Sequence, residues 1–131
     1  MTAAPLRSAL FVDFDNVFGG LFHLDPAAAE VFGTRPDAWL GFFEAGMHAA
    51  AANRIARAIL SRRCYLNPDG HIDPVRAGDD RAGTTLPVHF RRFRNFFTRA
   101  GFSVVDCPRL TRGTKNSADI VMVMDIIDTL N

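Results

Sequence analysis

A chain of 131 residues with 48% hydrophobic and 22% charged residues suits one globular domain spanning 1–131, and it holds no uncharged apolar run of about 18 residues for a membrane span. A net charge of +1 excludes a molecule that is basic throughout, yet the charge is unevenly spread. Arg91, Arg92, Arg94, Arg99, Arg109, Arg112 and Lys115 share one segment with a single acid, Asp106, and such a segment suits a phosphate backbone.

Cys64 and Cys107 form no Cys-x-x-Cys pair and read as buried free thiols. The N-terminus carries one basic residue, Arg7, and the apolar run after it is broken at Asp13, unlike a signal peptide. The chain is expected to be soluble and cytoplasmic, with no membrane partner.

Residues 8–14 predict a first strand, built from β-type and aromatic residues and ending in Asp13-Phe14-Asp15-Asn16. Asn16 suits the N-cap of a helix to about Leu24, although Gly19-Gly20 weakens it. Pro26 opens a short helix that Gly33 is expected to end. Pro36 to Gly46 predicts another helix with Trp39, Leu40, Phe42 and Phe43 as its apolar side, continued in register by Met47 to Ala58. Residues 58–66 predict the second strand, followed by the turn Asn67-Pro68-Asp69-Gly70 and an exposed loop from Asp73 to Thr85.

The spacing of Leu86, Phe90, Phe93 and Phe97 predicts a helix from Leu86 to Ala100, capped by Gly101. Residues 102–107 predict a third strand, which Pro108 stops. A final helix capped by Asn116 or Ser117 follows, although Ile120 to Met124 would also fit a buried strand. Residues six apart share a strand face but lie about 240° apart around a helix, so a helix lets Asp119 or Asp125 face a pocket, not both. Asp119 is favoured, since it lies nearer the amino end of the helix. Alternating strands and helices imply an α/β fold with a parallel sheet and right-handed crossovers.

In such sheets ligands bind beyond the carboxyl ends of the strands, which makes Asp13 the leading site residue. Converging carboxylates suit Mg2+ or Mn2+, hard cations that take oxygen ligands and retain waters. Asp15 and Asn16 have a simpler alternative role as caps, and Asp119 could be a capping-box acid. Lys115 is the lone lysine among fifteen basic residues, which hints at a phosphate contact. His23, His48, His71 and His89 form no pair at ligand spacing, and surface or packing roles are expected for all four.

Three separated motifs resemble the NYN domain of PIN-like ribonucleases: Phe11-Val12-Asp13-Phe14-Asp15-Asn16, then Ala100-Gly101-Phe102-Ser103-Val104, then Lys115-Asn116-Ser117-Ala118-Asp119-Ile120 leading to Met124-Asp125. The resemblance spans nearly the whole chain. It implies a three-layer α/β/α domain with a central parallel sheet, a Mg2+ or Mn2+ site, and hydrolysis of RNA phosphodiester bonds. It also implies Asp13 and Asp119 as catalytic metal-binding acids, Asn16 as a supporting residue and Asp125 as a further acid. Arg109, Arg112 and Lys115 are the expected RNA contacts. NYN domains continue into a strand ending in a Ser-Gly-Asp-x-Asp-Phe type motif, which this sequence lacks before Asn131, so a C-terminal strand and its acids are expected to be missing. An unfinished sheet leaves an open edge, pointing to a homodimer through that edge or through exposed apolar surface.

Two other readings compete. Leu10 to Val17 also resembles the first motif of haloacid dehalogenase-like phosphatases, with Asp13 as nucleophile and Asp15 as acid/base, and with Ser61, Lys115, Asp125 and Asp128 as the remaining motif residues. Only nine residues separate Lys115 from Asp125, too few for that family's intervening elements, and Ala118-Asp119-Ile120 is left unexplained. The other reading is an inactive RNA-binding or regulatory module built on the basic segment.

Overall fold

A computed structural model describes residues 6–50, 57–74, 86–108 and 117–131. Its elements are β1 (Leu6–Asp13), α1 (Phe14–Leu24), α2 (Pro26–Thr34), α3 (Pro36–Ala50), β2 (Arg57–Leu66), β3 (His71–Ile72), β4 (Val88–His89), a 3-10 turn (Phe90–Phe93), α4 (Arg94–Arg99), β5 (Ser103–Asp106) and α5 (Ser117–Leu130). The protein is thus a mixed α/β fold, and β1, β2 and β5 form a parallel sheet with β2 in the middle. Asp13 pairs with Tyr65 and Tyr65 with Val105, so the carboxyl ends of the three strands share one edge.

Strand pleating sends successive side chains to opposite faces, and the packing follows that alternation. Val12, Cys64 and Leu66 join Phe14, Phe18, Phe32, Phe93 and Phe97 on the face covered by the helices before β5. Phe11, Tyr65, Val105 and Cys107 pack on the other face against Val121 and Met122 of α5. Phe14, the first residue of α1, is fully buried and lies within 5.6 Å, ring centre to ring centre, of Phe18, Phe32, Phe90, Phe93 and Phe97. The strand that ends at Asp13 is thereby pinned to the aromatic core one residue later. No helix among the described residues is long and apolar enough to cross a membrane.

Several local expectations change. The helix expected from Leu86 starts only at Phe90, because Val88 and His89 pair antiparallel with Ile72 and His71 instead; Leu86 is exposed. The cap of α1 is Asp13 rather than Asn16, which sits in the first turn. Gly33 lies inside α2 rather than ending it, and the Phe93 ring occupies the space where a Cβ would stand, with Cδ1 2.5 Å from that position. The expected helical stretch beyond Ala50 lies outside the described residues up to position 56, as does the loop from 75 to 85. The last element is a helix and not a strand. Ile120, Val123, Met124, Ile127 and Leu130 lie exposed along it among the described residues.

Candidate acidic site

Asp13 closes β1 with extended backbone angles (φ −85°, ψ 94°), which turns its side chain back over the first turn of α1. Its carboxylate accepts the Asn16 backbone N–H at 3.5 Å and the Asn16 side-chain amide at 2.6 Å. Asn16 therefore fixes the Asp13 rotamer, and the unpaired amides of the helix start favour its negative charge.

Asp119, in the first turn of α5, comes from the far end of the chain to lie near enough to act on the Asp13 carboxyl group. Burial raises the Asp13 pKa above the ordinary carboxylate value; the Asn16 hydrogen bonds oppose the rise, and the Asp119 charge adds to it. A carboxyl group whose ionisation is disfavoured by burial and by a second acid beside it marks a place that favours a cation.

Asp15 is engaged by the turn after β2. Its Oδ1 accepts the Asn67 backbone N–H at 3.2 Å, tying α1 to the turn after β2. Asp125 lies six residues along α5 from Asp119, roughly 9 Å by helical rise, and meets the sheet rather than Asp13. Its Oδ2 accepts the Tyr65 hydroxyl at 2.6 Å and pairs with Arg63 Nη1 at 3.4 Å. Burial and the Asp125 carboxylate together push the Tyr65 hydroxyl up to about 12. Asp128 is exposed.

Among the basic residues, Arg94 forms an ion pair with Asp106 at the same sheet edge, and Arg92 pairs with Glu30 at 2.6 Å on the outside of the helices. Arg91 and Arg99 are exposed. Arg109, Arg112 and Lys115, the expected RNA contacts, lie outside the described residues.

The structure therefore joins Asp13, Asn16 and Asp119, and gives Asp125 a separate partner in Tyr65. Among the described residues no group of three or more His, Cys, Asp or Glu side chains converges as a metal cage. Two carboxylates still fit Mg2+ or Mn2+, which usually keep several waters and use one or two protein carboxylates. Sequence reasoning missed Tyr65, Arg63 and Asn67 as supports. The alternation of Arg63 and Tyr65 on one face of β2 carried the signal for the first two, but it names no partner until α5 is placed. No protein-family model, curated protein or solved structure matches the chain.

Proposed function

We propose that this chain is an NYN-like, three-layer α/β/α domain that hydrolyses RNA phosphodiester bonds with Mg2+ or Mn2+. The observation that carries the reading is the meeting of Asp13 and Asp119, from opposite ends of the chain, at the carboxyl edge of a parallel sheet. Ligand sites in open parallel sheets lie at that edge.

Asp13 and Asp119 would hold the cation, which when bound supplies positive charge for the phosphodiester oxygens and for the attacking water. Asn16 acts as a positioning residue: it holds the Asp13 carboxylate and keeps its charge affordable in a half-buried setting. Tyr65 and Arg63 grip Asp125 and so set the rotation of α5 that turns Asp119 to Asp13. The basic stretch of sequence that begins at Arg91 and includes Arg109, Arg112 and Lys115 would supply the positive charge that the phosphate backbone of RNA requires.

Two placements weigh against the phosphatase reading. Ser61 pairs with Ala9, four residues short of Asp13 along the strand, which is roughly 13 Å from the carboxyl edge at about 3.3 Å per residue. Asp15 accepts the Asn67 backbone N–H, a bond that occupies one of its carboxylate oxygens.

The test is Mn2+-dependent cleavage of a labelled single-stranded RNA by the wild type, Asp13→Asn and Asp119→Asn, with a phosphate-release assay run in parallel. Cleavage by the wild type that both variants lose supports the nuclease. Cleavage that survives both substitutions, or phosphate release without RNA cleavage, overturns it.

A further inference from the structure

The four histidines are scattered in sequence, but folding brings two of them face to face. His71 on β3 and His89 on β4 are direct partners in the antiparallel ladder. The neighbouring pair, Gly70 and Phe90, is joined by a hydrogen bond from the Phe90 N–H to the Gly70 carbonyl at 3.0 Å. Hydrogen-bonded and non-hydrogen-bonded pairs alternate along an antiparallel ladder, so His71 and His89 form a non-hydrogen-bonded pair, the type whose side chains approach most closely.

The two rings lie 5.8 Å apart, centre to centre, tilted by 45°, and both residues are exposed. Two imidazoles that share one ion at about 2.1 Å from each ligating nitrogen have ring centres no more than roughly 6.5 Å apart. The observed spacing falls inside that limit with the backbone already in place. Ile72 and Val88, the next pair along, turn to the opposite side and pack against the aromatic core, which anchors the ribbon and leaves the histidines on its outer face.

We propose that His71 and His89 form a two-imidazole site for a borderline transition-metal ion such as Zn2+, Ni2+ or Cu2+. Imidazole nitrogen selects these ions over Mg2+ and Mn2+, which prefer carboxylate and water oxygens. The site is chemically distinct from the Asp13–Asp119 pair and does not depend on the nuclease reading. With two protein ligands the remaining coordination positions are filled by water, which sets the affinity in the micromolar range rather than that of a closed structural site. A bound ion would bridge the segment leaving β2 to the segment entering α4. It would therefore clamp the ribbon next to the Asn67 turn that holds Asp15.

The experiment is calorimetric titration of the untagged, metal-stripped chain with Ni2+ and separately with Mg2+, comparing wild type, His71→Ala, His89→Ala and His23→Ala. His23 is an exposed histidine on α1 and serves as the control. The expected result is one Ni2+ per chain, with affinity reduced about tenfold or more, about 1.4 kcal/mol, by either ribbon substitution and unchanged in His23→Ala. Ni2+ should also raise the melting temperature of the wild type and the control alone, since an ion bound only by the folded state stabilises it. Melting curves in chelator confirm that all variants fold. Equal Ni2+ affinity in wild type and both ribbon variants, or loss confined to one of the two, overturns the site.

Discussion

Tyr65 donates its hydroxyl hydrogen to Asp125 at 2.6 Å, joining the central strand to the middle of α5. Arg63, two residues earlier on the same face of β2, reaches the same carboxylate oxygen at 3.4 Å. A helix that offers two acids about 240° apart can turn only one toward the strand ends. By engaging Asp125, Tyr65 and Arg63 leave Asp119 as the acid that meets Asp13. Tyr65→Phe keeps the ring in its packed position against Phe11 and removes only this hydrogen bond. It should destabilise the fold by about 1 kcal/mol, given a charged acceptor that Arg63 still partners. The corresponding fall in melting temperature is about 4 °C for a domain of this size, and RNA cleavage should weaken with it as Asp119 loses its fixed orientation. An unchanged melting temperature and cleavage rate would show that α5 is set by Val121 and Met122 alone.

Asp13→Asn should abolish Mn2+-dependent cleavage and at the same time stabilise the protein at neutral pH. Asn caps a helix as well as Asp does, so the start of α1 is preserved. The folded state raises the Asp13 pKa, mainly by burial, so the folded chain binds more protons than the unfolded one between the two pKa values. Stability is then lost as pH rises through that interval. Below the ordinary carboxylate value of 3.8 both states are protonated and the penalty vanishes. The variant should therefore melt above the wild type at pH 7, with the gap closing toward pH 3.5. A variant that melts lower at pH 7 would mean that Asp13 earns more from Asn16 than burial and Asp119 take away.

The pattern of elements was legible where the physics is local. The strand before Asp13 and the Asn67–Gly70 turn follow from residue type and turn chemistry, whereas the element carrying Asp119 fitted a helix or a buried strand, and the structure makes it a helix. The expected turn is present, with the Gly70 N–H donating to the Asn67 carbonyl at 3.0 Å. What could not be read was pairing across distance. Leu86 to Phe97 has helical spacing, yet Val88 and His89 are claimed by β3, a two-residue strand too short to leave a pattern of its own. Gly33 looked like a terminator because nothing in the sequence announces that Phe93 packs against it. Helix geometry favoured Asp119 over Asp125 for the strand edge, but each acid alone is also explained by helix capping, and the motif resemblance is what joined Asp119 to Asp13.

Glycine substitutions should separate packing from propensity. Gly33→Ala would press a methyl group against the edge of the Phe93 ring, whose Cδ1 stands 2.5 Å from the new Cβ and which is itself fully buried. Overpacking of this kind costs about 1–3 kcal/mol. Gly20→Ala, in α1 with nothing within 4 Å, should instead stabilise by about 0.5–1 kcal/mol through helix propensity. Denaturant melts of the two variants should move in opposite directions from the wild type. Shifts of the same sign would show that α2 gives way to relieve the Phe93 contact.

Cys64 and Cys107 are both buried and unbonded, on opposite faces of the sheet. Burial raises the Cys64 thiol well above its ordinary range, and the Asp15 and Asp13 charges raise it further. Cys107 is raised by burial and then by Asp15, Asp125 and Asp13. Alkylation proceeds through the thiolate, so both shifts and the lack of access act in one direction. Iodoacetamide at pH 8 should leave both cysteines of the native chain unmodified over minutes and label both in denaturant. Because neither thiolate forms without exposure, the labelling rate in partial denaturant should follow the unfolded fraction measured by circular dichroism. Rapid modification of Cys107 in the native protein would show that the segment after β5 opens on its own, which would also free α5 and separate Asp119 from Asp13.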